Sequence, residues 1–208
     1  MDLYIVGAGN VGAFVAYHAK DMGSYNLKGF LDIIKQHQVL YDLPVLGDED
    51  LLLEISKPVA VAIAIANPTI KRKVIDKLKT NSNIEFPNFI HPTVWIGNKV
   101  RIGKGCIIYP GVTINYETDI KDFVTVNMNA TIGHNCKLDD FSTVSPGVNL
   151  GGGTLISKGG FVGIGASTIQ GVIIGEDAIV GGMTMVIANV PDKATTVGNP
   201  NKIIKTNK

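Results

Sequence analysis

Very little in this sequence is charged in excess, oxidisable or membrane-like. The formal net charge is +1 over 208 residues. That gives a polyanion or an acidic lipid surface nothing to hold, so neither nucleic acid nor a membrane is an expected partner. No apolar run approaches the roughly 20 residues that cross a bilayer; the longest, Val59 to Ala66, has eight. The N-terminus enters an apolar strand without a basic region, a long apolar core or a small-residue cleavage site. No export signal is read, and the cytoplasm is the expected compartment. There are only two cysteines, from which neither a disulfide nor a metal site is expected. Histidine is scarce as well: of four, His18, His37 and His91 sit in no local constellation, which leaves His134.

What the sequence does have is a six-residue beat. Stepping by six from Ile90 meets Ile96, Ile102, Ile108, Ile114, Ile120, Val126, Ile132, Leu138, Val144, Leu150, Ile156 and Val162. The beat misses at Thr168 and resumes at Ile174, Val180 and Val186. At 45% apolar residues, chance would fill roughly half of those slots. The fifth position of each hexad is never larger than valine, as at Cys106, Thr118, Ala130, Cys136 and Thr154. This is the pattern of a hexapeptide parallel β-helix. Three hexads make a triangular coil, the aliphatic residue fills each face, and the small one fits where the chain turns. Residues one coil apart stack at about 4.8 Å. Gly97, Asn98, Gly103, Gly133, Asn135, Gly151 and Gly163 are expected to accept the backbone angles of the turns. The segment Pro191–Thr195 is expected to cover the last coil. The cysteines fall at small core positions and read as packing residues.

The residues before the beat read differently. Leu3–Val6 is a short strand, followed by Gly7-Ala8-Gly9-Asn10-Val11-Gly12 and a helical pattern through Met22. A second strand fits Leu27–Leu31 and ends in Asp32. Glycines in this pattern allow a tight strand-to-helix turn and close approach of a phosphate to the helix N-terminus. A turn with no ligand has the same pattern. Beyond Asp32 come a short helix (48–56), a strand (59–65), and a helix with Asn67 as N-cap and Pro68 at its first position. Its Lys71, Arg72, Lys73 and Lys77 read as a solvated face. This is half a dinucleotide fold, with room for a mononucleotide or nucleotide-sugar rather than NAD. The fold expected is thus an α/β Rossmann-like domain over 1–87, followed by a parallel β-helix over 88–208.

His134 holds the third position of its hexad, a corner slot shared with residues such as Asn98, Asp122 and Gly152, so it does not fill the core. A solvent-exposed turn histidine fits that slot too. Two neighbours point to chemistry: Gly151-Gly152-Gly153 stack one coil above, and Asn127-Met128-Asn129 lie on the preceding hexad. A lone base beside a bare backbone N–H is the minimum equipment for acyl transfer.

The chain resembles the hexapeptide-repeat acyltransferases of the sialic acid O-acetyltransferase NeuD family. The resemblance spans nearly the whole sequence. It rests on Ile5-Val6-Gly7-Ala8-Gly9, Gly29-Phe30-Leu31-Asp32, Ile63-Ala64-Ile65-Ala66-Asn67, Gly133-His134-Asn135-Cys136, Val144-Ser145-Pro146-Gly147 and Val197-Gly198-Asn199-Pro200. That family includes bacterial enzymes that N-acetylate UDP- or dTDP-linked 4-amino-4,6-dideoxy sugars for surface glycans. The resemblance implies a left-handed β-helix, acetyl-CoA as co-substrate, a nucleotide-sugar acceptor and a homotrimer with sites between neighbouring prisms. By position, His134 would be the general base, Asn135 its partner and Gly152 N–H the oxyanion donor. Thr143, Ile164 and Gly182 would line the coenzyme A groove. Gly9, Asn10, Val11, Asp32, Ile33 and Ala66 would contact the nucleotide-sugar. Four positions depart from the family pattern. Asn135 stands where an acid usually follows the histidine, Thr143 replaces a second histidine, Ile33 replaces the second acid of an Asp-Asp pair, and Ala66 stands where glycine is usual. An amide can hold a tautomer but carries no charge to stabilise an imidazolium. Sialic acid O-acetylation, or a non-catalytic trimeric module that binds nucleotide-sugar, are the alternatives.

Overall fold

The computed structural model describes residues 1–206, so the last two residues of the expected second domain lie outside the described residues. The chain forms two compact units, Met1–Phe89 and Ile90–Lys208. The first contains β1 (Asp2–Val6), α1 (Asn10–Met22), β2 (Asn26–Leu31), β3 (Val39–Leu40), β4 (Leu43–Gly47), a 3-10 helix (Glu49–Glu54), β5 (Val59–Ile63), α2 (Pro68–Leu78) and β6 (Ile84–Glu85). The sheet order is β3-β4-β2-β1-β5-β6, with β1 parallel to both β2 and β5. All of β5 is buried, as befits a central parallel strand whose residues are apolar on both faces. This is the expected Rossmann-like arrangement.

Two details differ from the sequence reading. The β3–β4 hairpin was not expected. Its turn residues Tyr41 and Asp42 both have positive φ, and neither is the glycine by which such turns are usually recognised. The supposed solvated face of α2 is not uniform: Lys71 is only 3% exposed, and Lys77 is ion-paired with Glu49 and Asp50. The α2 cap is as expected, with the Asn67 side chain accepting the Ile70 N–H at 3.0 Å.

The second unit is a left-handed parallel β-helix with three faces. The first face carries Ile107–Ile108, Thr125–Val126 and their successors up to Ala194–Val197. The second runs from Trp95–Ile96 to Met185–Val186, and the third from Arg101–Ile102 to Ile173–Ile174. Register follows the coil: Ile108 pairs with Val126, Ile114 with Ile132, and Ile120 with Leu138. The aliphatic residues of the beat from Ile108 to Val186 are buried in one continuous core. Cys106 and Cys136 are buried thiols within it. Burial also pushes the Cys136 thiol pKa up, as an apolar surround does to a group that would become charged.

The turn chemistry is not as expected. Positive φ falls at the fourth hexad position, at Glu117, Asn135, Gly153, Gly165 and Met183 among others. Of the residues assigned to that role from sequence, only Asn135 has it. Gly97, Gly103, Gly133, Gly151 and Gly163 are small for a different reason: the next coil runs against them. A Cβ at Gly133 would lie 2.6 Å from Gly152 N and 2.7 Å from Leu150 O.

The missed beat also has a physical account. Thr168 is 7% exposed and points into the core. Its Oγ1 accepts the Gly151 N–H at 2.9 Å and lies 2.9 Å from Thr154 Oγ1, which donates to Gly151 O at 2.7 Å. Since the Thr154 proton goes to Gly151, the Thr168 hydroxyl must donate to Thr154. At the C-terminal end Ala194–Val197 extends the first face, and Lys202–Thr206 folds back antiparallel on it. The sheet therefore ends in a hairpin rather than under the Pro191–Thr195 segment alone.

Candidate active site

His134 sits on the prism edge between the second and third faces, in the turn between Thr131–Ile132 and Lys137–Leu138. It is half-buried. Its Nδ1 is 2.9 Å from Asn135 Oδ1. The other end of the ring lies over the next coil: a Cβ built on Gly152 would stand 2.5 Å from His134 Nε2 and 2.6 Å from its Cε1. Only glycine at 152 leaves the imidazole this seat.

The coil below contributes two residues that sequence reasoning missed. Tyr116 stacks on His134 with ring centroids 5.3 Å apart and planes 10° apart. Glu117 Oε2 accepts from Asn135 Nδ2 at 3.0 Å, and Lys99 Nζ lies 3.0 Å from Glu117 Oε1. The hydrogen bond from Lys99, then that from Asn135, holds the Glu117 carboxyl below its ordinary range. The signal was available: stepping back one coil from His134 and Asn135 reaches Tyr116 and Glu117. Asn127, Met128 and Asn129 do not lie beneath His134. They occupy the neighbouring edge, between the first and second faces.

The Gly151–Gly152 peptide is held from inside the prism. Gly151 O takes the Thr154 hydroxyl, and Gly151 N–H goes to Thr168. In a trans peptide the carbonyl and the following N–H point in opposite directions. Fixing Gly151 O toward buried Thr154 therefore turns the Gly152 N–H to the side away from Thr154, within a residue that is itself buried. That N–H meets no acceptor among the described residues. A base with a free backbone donor beside it suits a reaction in which a proton leaves one atom while negative charge develops on another.

Ile164 and Gly182 lie elsewhere, on the edge between the first and second faces, where Ile164 is 63% exposed. They are mutual neighbours, since a Cβ at Gly182 would be 3.2 Å from Ile164 O. Thr143 is on a first-face strand. Within one chain, His134, Asn135 and Gly152 are thus brought together, Ile164 and Gly182 form a second group one face away, and Thr143 joins neither.

The remaining candidate residues belong to the first unit. A cavity of about 370 Å³ opens where β1 and β2 end and is lined by residues including Gly7, Gly9, Asp32, Ile33, Ile65 and Val74. Asn10, Val11 and Ala66 are not part of its lining. Gly7 has φ +103°, and a Cβ there would lie 2.8 Å from Ala64 O, so glycine is needed on both counts. A Cβ at Gly9 would meet nothing within 4 Å, which leaves the start of α1 open. No side chain caps α1, and its first turn contains no acidic residue; a helix start of this kind favours an anion. Ile33 is 69% exposed. Asp32 is already in use: Oδ2 accepts Ala8 N–H at 2.9 Å, and Oδ1 accepts Ile34 and Lys35 N–H at 3.0 and 3.2 Å. The carboxylate ties two loops together and keeps a lone pair on Oδ2.

Residues 2–78 match the family model of the PglD N-terminal domain. Several solved structures are similar along the whole chain. The acetyltransferase domain of PglB from Neisseria gonorrhoeae FA1090 is 31% identical, with 98% of this chain and 99% of that chain covered and a TM-score of 0.92. GDP-perosamine N-acetyl transferase from Caulobacter crescentus, solved with CoA and GDP-perosamine, is 28% identical over 99% and 97% of the two chains, TM-score 0.91. WeeI from Acinetobacter baumannii AYE is 26% identical over 98% and 100%, TM-score 0.88. No curated protein sequence matches the chain. The chain belongs to the family of sugar acetyltransferases that join a PglD-type N-terminal domain to a left-handed β-helix. Among the described residues no helix is long and apolar enough to cross a membrane.

Proposed function

We propose that this protein transfers the acetyl group of acetyl-CoA to the amine of a nucleotide-linked 4-amino-4,6-dideoxy sugar, in the synthesis of a bacterial surface glycan. The observation that carries the reading is the seat of His134, with Nε2 over Gly152 and a Gly152 N–H alongside that meets no acceptor among the described residues. The similar PglB domain has been solved with acetyl coenzyme A, and the perosamine enzyme with CoA and a nucleotide-sugar. In the proposed reaction the sugar amine attacks the thioester carbonyl. His134 Nε2 takes the proton that the nitrogen loses as the C–N bond forms. The Gly152 N–H steadies the oxyanion of the tetrahedral intermediate. Collapse breaks the C–S bond, and the thiolate of coenzyme A leaves and is protonated by the imidazolium; a thiol pKa near about 8.5 makes it a competent leaving group.

The acceptor's nucleotide is assigned to the cavity at the β1 and β2 ends, with the diphosphate at the open start of α1 and Asp32 and Ile33 beside the base. UDP or dTDP is the base expected from the family resemblance. The perosamine enzyme, which binds GDP-perosamine, makes GDP the carrier to test beside them. Coenzyme A is assigned to Ile164, Gly182 and Thr143. These lie away from His134 in one chain, so the site is complete only when a second copy brings its first-to-second-face edge to this chain's His134 edge. A closed homotrimer satisfies that requirement.

The test is thiol release from acetyl-CoA with UDP-, dTDP- and GDP-linked 4-amino-sugars, compared with free sialic acid. Release with any amino sugar supports the reading. Release only with sialic acid moves the assignment to O-acetylation of NeuD type, and no release with any acceptor leaves the non-catalytic binding module. His134→Ala should lose about 10²–10⁴ in turnover, the usual worth of positioned proton transfer. A variant within about tenfold of the parent removes His134 from the base role.

A further inference from the structure

The residue after His134 is Asn135, an amide that carries no charge and can turn either end to the ring. The coil below supplies what is missing. We propose that Glu117 is a positioning residue that sets the tautomer of His134 by fixing which way the Asn135 amide faces. The proposal rests on the general-base reading of His134 only for its effect on rate.

An ionised carboxylate accepts hydrogen bonds and donates none. Glu117 Oε2 is 3.0 Å from the Asn135 amide, so the NH₂ end of that amide must face it. The carbonyl end then faces His134 Nδ1, at 2.9 Å. A carbonyl oxygen accepts only, so Nδ1 carries the proton of the neutral ring. The lone pair is left on Nε2, the atom over Gly152. If the amide turned over, its NH₂ would donate to Nδ1, the ring proton would move to Nε2, and the base would be lost.

Each link has support of its own. Lys99 sits 3.0 Å from the other Glu117 oxygen and keeps the carboxylate ionised. Tyr116 lies flat against the imidazole and opposes a turn of the ring about Cβ–Cγ, which would put Cδ2 in place of Nδ1 against the amide. Asn135 and Glu117 both adopt positive φ, 56° and 57°. The shared turn conformation sets the two side chains in line, one coil apart. No acid adjacent in sequence is needed, because stacking of coils brings a carboxylate within reach of the amide.

The experiment reads the tautomer and the rate separately. In the full-length protein labelled with ¹⁵N-histidine, long-range ¹H–¹⁵N correlations distinguish a protonated Nδ1 from a protonated Nε2 without substrate. The parent should show the neutral His134 ring protonated at Nδ1. Glu117→Lys places donors where only an acceptor stood; the amide turns over, the ring becomes Nε2-protonated, and kcat falls about 10²-fold or more with KM little changed. Glu117→Gln, which can present either end of its amide, should give a mixture and an intermediate rate. Asn135→Asp combined with Glu117→Gln should restore both, because the aspartate accepts directly from Nδ1–H. A parent ring protonated at Nε2, or an unchanged Nδ1–H ring in folded Glu117→Lys, overturns the proposal. Because the tautomer is read in the resting protein, its outcome stands even if His134→Ala shows that the histidine is not the base.

Discussion

Two edges of the same prism share one backbone and differ in almost everything else. On the edge between the second and third faces, the third hexad position runs Asn98, Tyr116, His134, Gly152 and Gln170 up the coils. On the edge between the first and second faces the same position runs Met128, Pro146, Ile164 and Gly182. The first column is aromatic and polar and closes on a charge pair, Glu117 with Lys99. The second is apolar and exposed at Met128 and Ile164, with Met183 beside it at the next position. Because the scaffold is identical at both, the chemistry comes from corner residues whose side chains the core does not use. That freedom lets one edge set His134 beside Gly152 and a charge pair while the other presents apolar surface.

The comparison can be broken hardest at the one glycine in each column, Gly152 and Gly182. Gly152→Ala puts a Cβ onto the imidazole, where it would be 2.5 Å from Nε2. Turnover should fall about 10²-fold or more, the scale of a displaced oxyanion donor or base, while thermal unfolding stays near the parent. Gly182→Ala meets only the Ile164 backbone, its O at 3.2 Å and its N at 3.9 Å. It should change KM for the acetyl donor by a few-fold and leave kcat nearly alone, the pattern expected where uniform binding alone is touched. Equal losses from the two variants would erase the distinction between the edges.

The interior support of the His134 edge comes next. Thr154→Val removes the shortest hydrogen bond to Gly151 O, which keeps the Thr154 N–H and Cys136 Sγ at 3.3 and 3.4 Å, and leaves the buried Thr168 hydroxyl without the acceptor it donates to. A cost of about 1–3 kcal/mol in stability follows from an unsatisfied buried group. About a tenfold drop in kcat should accompany it, since the Gly152 N–H is less firmly aimed. Denaturant titration and steady-state kinetics on one preparation check both. A loss of stability with an unaltered kcat would limit Thr154 to packing.

The smallest effect is on Lys99, an exposed residue whose ion pair is worth little to stability. Its hydrogen bond is the first cause of the lowered Glu117 pKa. Lys99→Ala should therefore let Glu117 take up a proton at higher pH than in the parent. A protonated Glu117 becomes a donor and no longer dictates the amide's direction. Activity should match the parent at neutral to alkaline pH and fail earlier as the pH is lowered. Superimposable pH profiles would disconnect Lys99 from the site.

The β-helix was readable because its rule is strict. One aliphatic residue fills each face, so the beat from Ile108 to Val186 maps directly onto the buried core. The exception, Thr168, was legible as a break but not as a function, because its role depends on Thr154 and Gly151 meeting it across coils. The same limit hid Tyr116 and Glu117. Reading upward from His134 found Gly152, and reading downward one coil would have found both. The turn glycines were given a conformational reason when the constraint is the passing backbone, which no single hexad shows. In the first unit the β3–β4 hairpin was missed because Tyr41 and Asp42 adopt positive φ without glycine. Asp32 matched its position, but only the structure shows its carboxylate already holding Ala8, Ile34 and Lys35.

The central claim is that the two edges make one active site across copies of the chain. His134→Ala keeps an intact donor edge, and Gly182→Trp keeps an intact base. Each alone should be inactive. Mixed before assembly in equal amounts, they should recover about one quarter of the parent activity, the statistical share of interfaces that pair two intact edges in a closed ring. Mixed assemblies that form, as seen by native mass spectrometry, yet show no acetyl transfer would contradict the account.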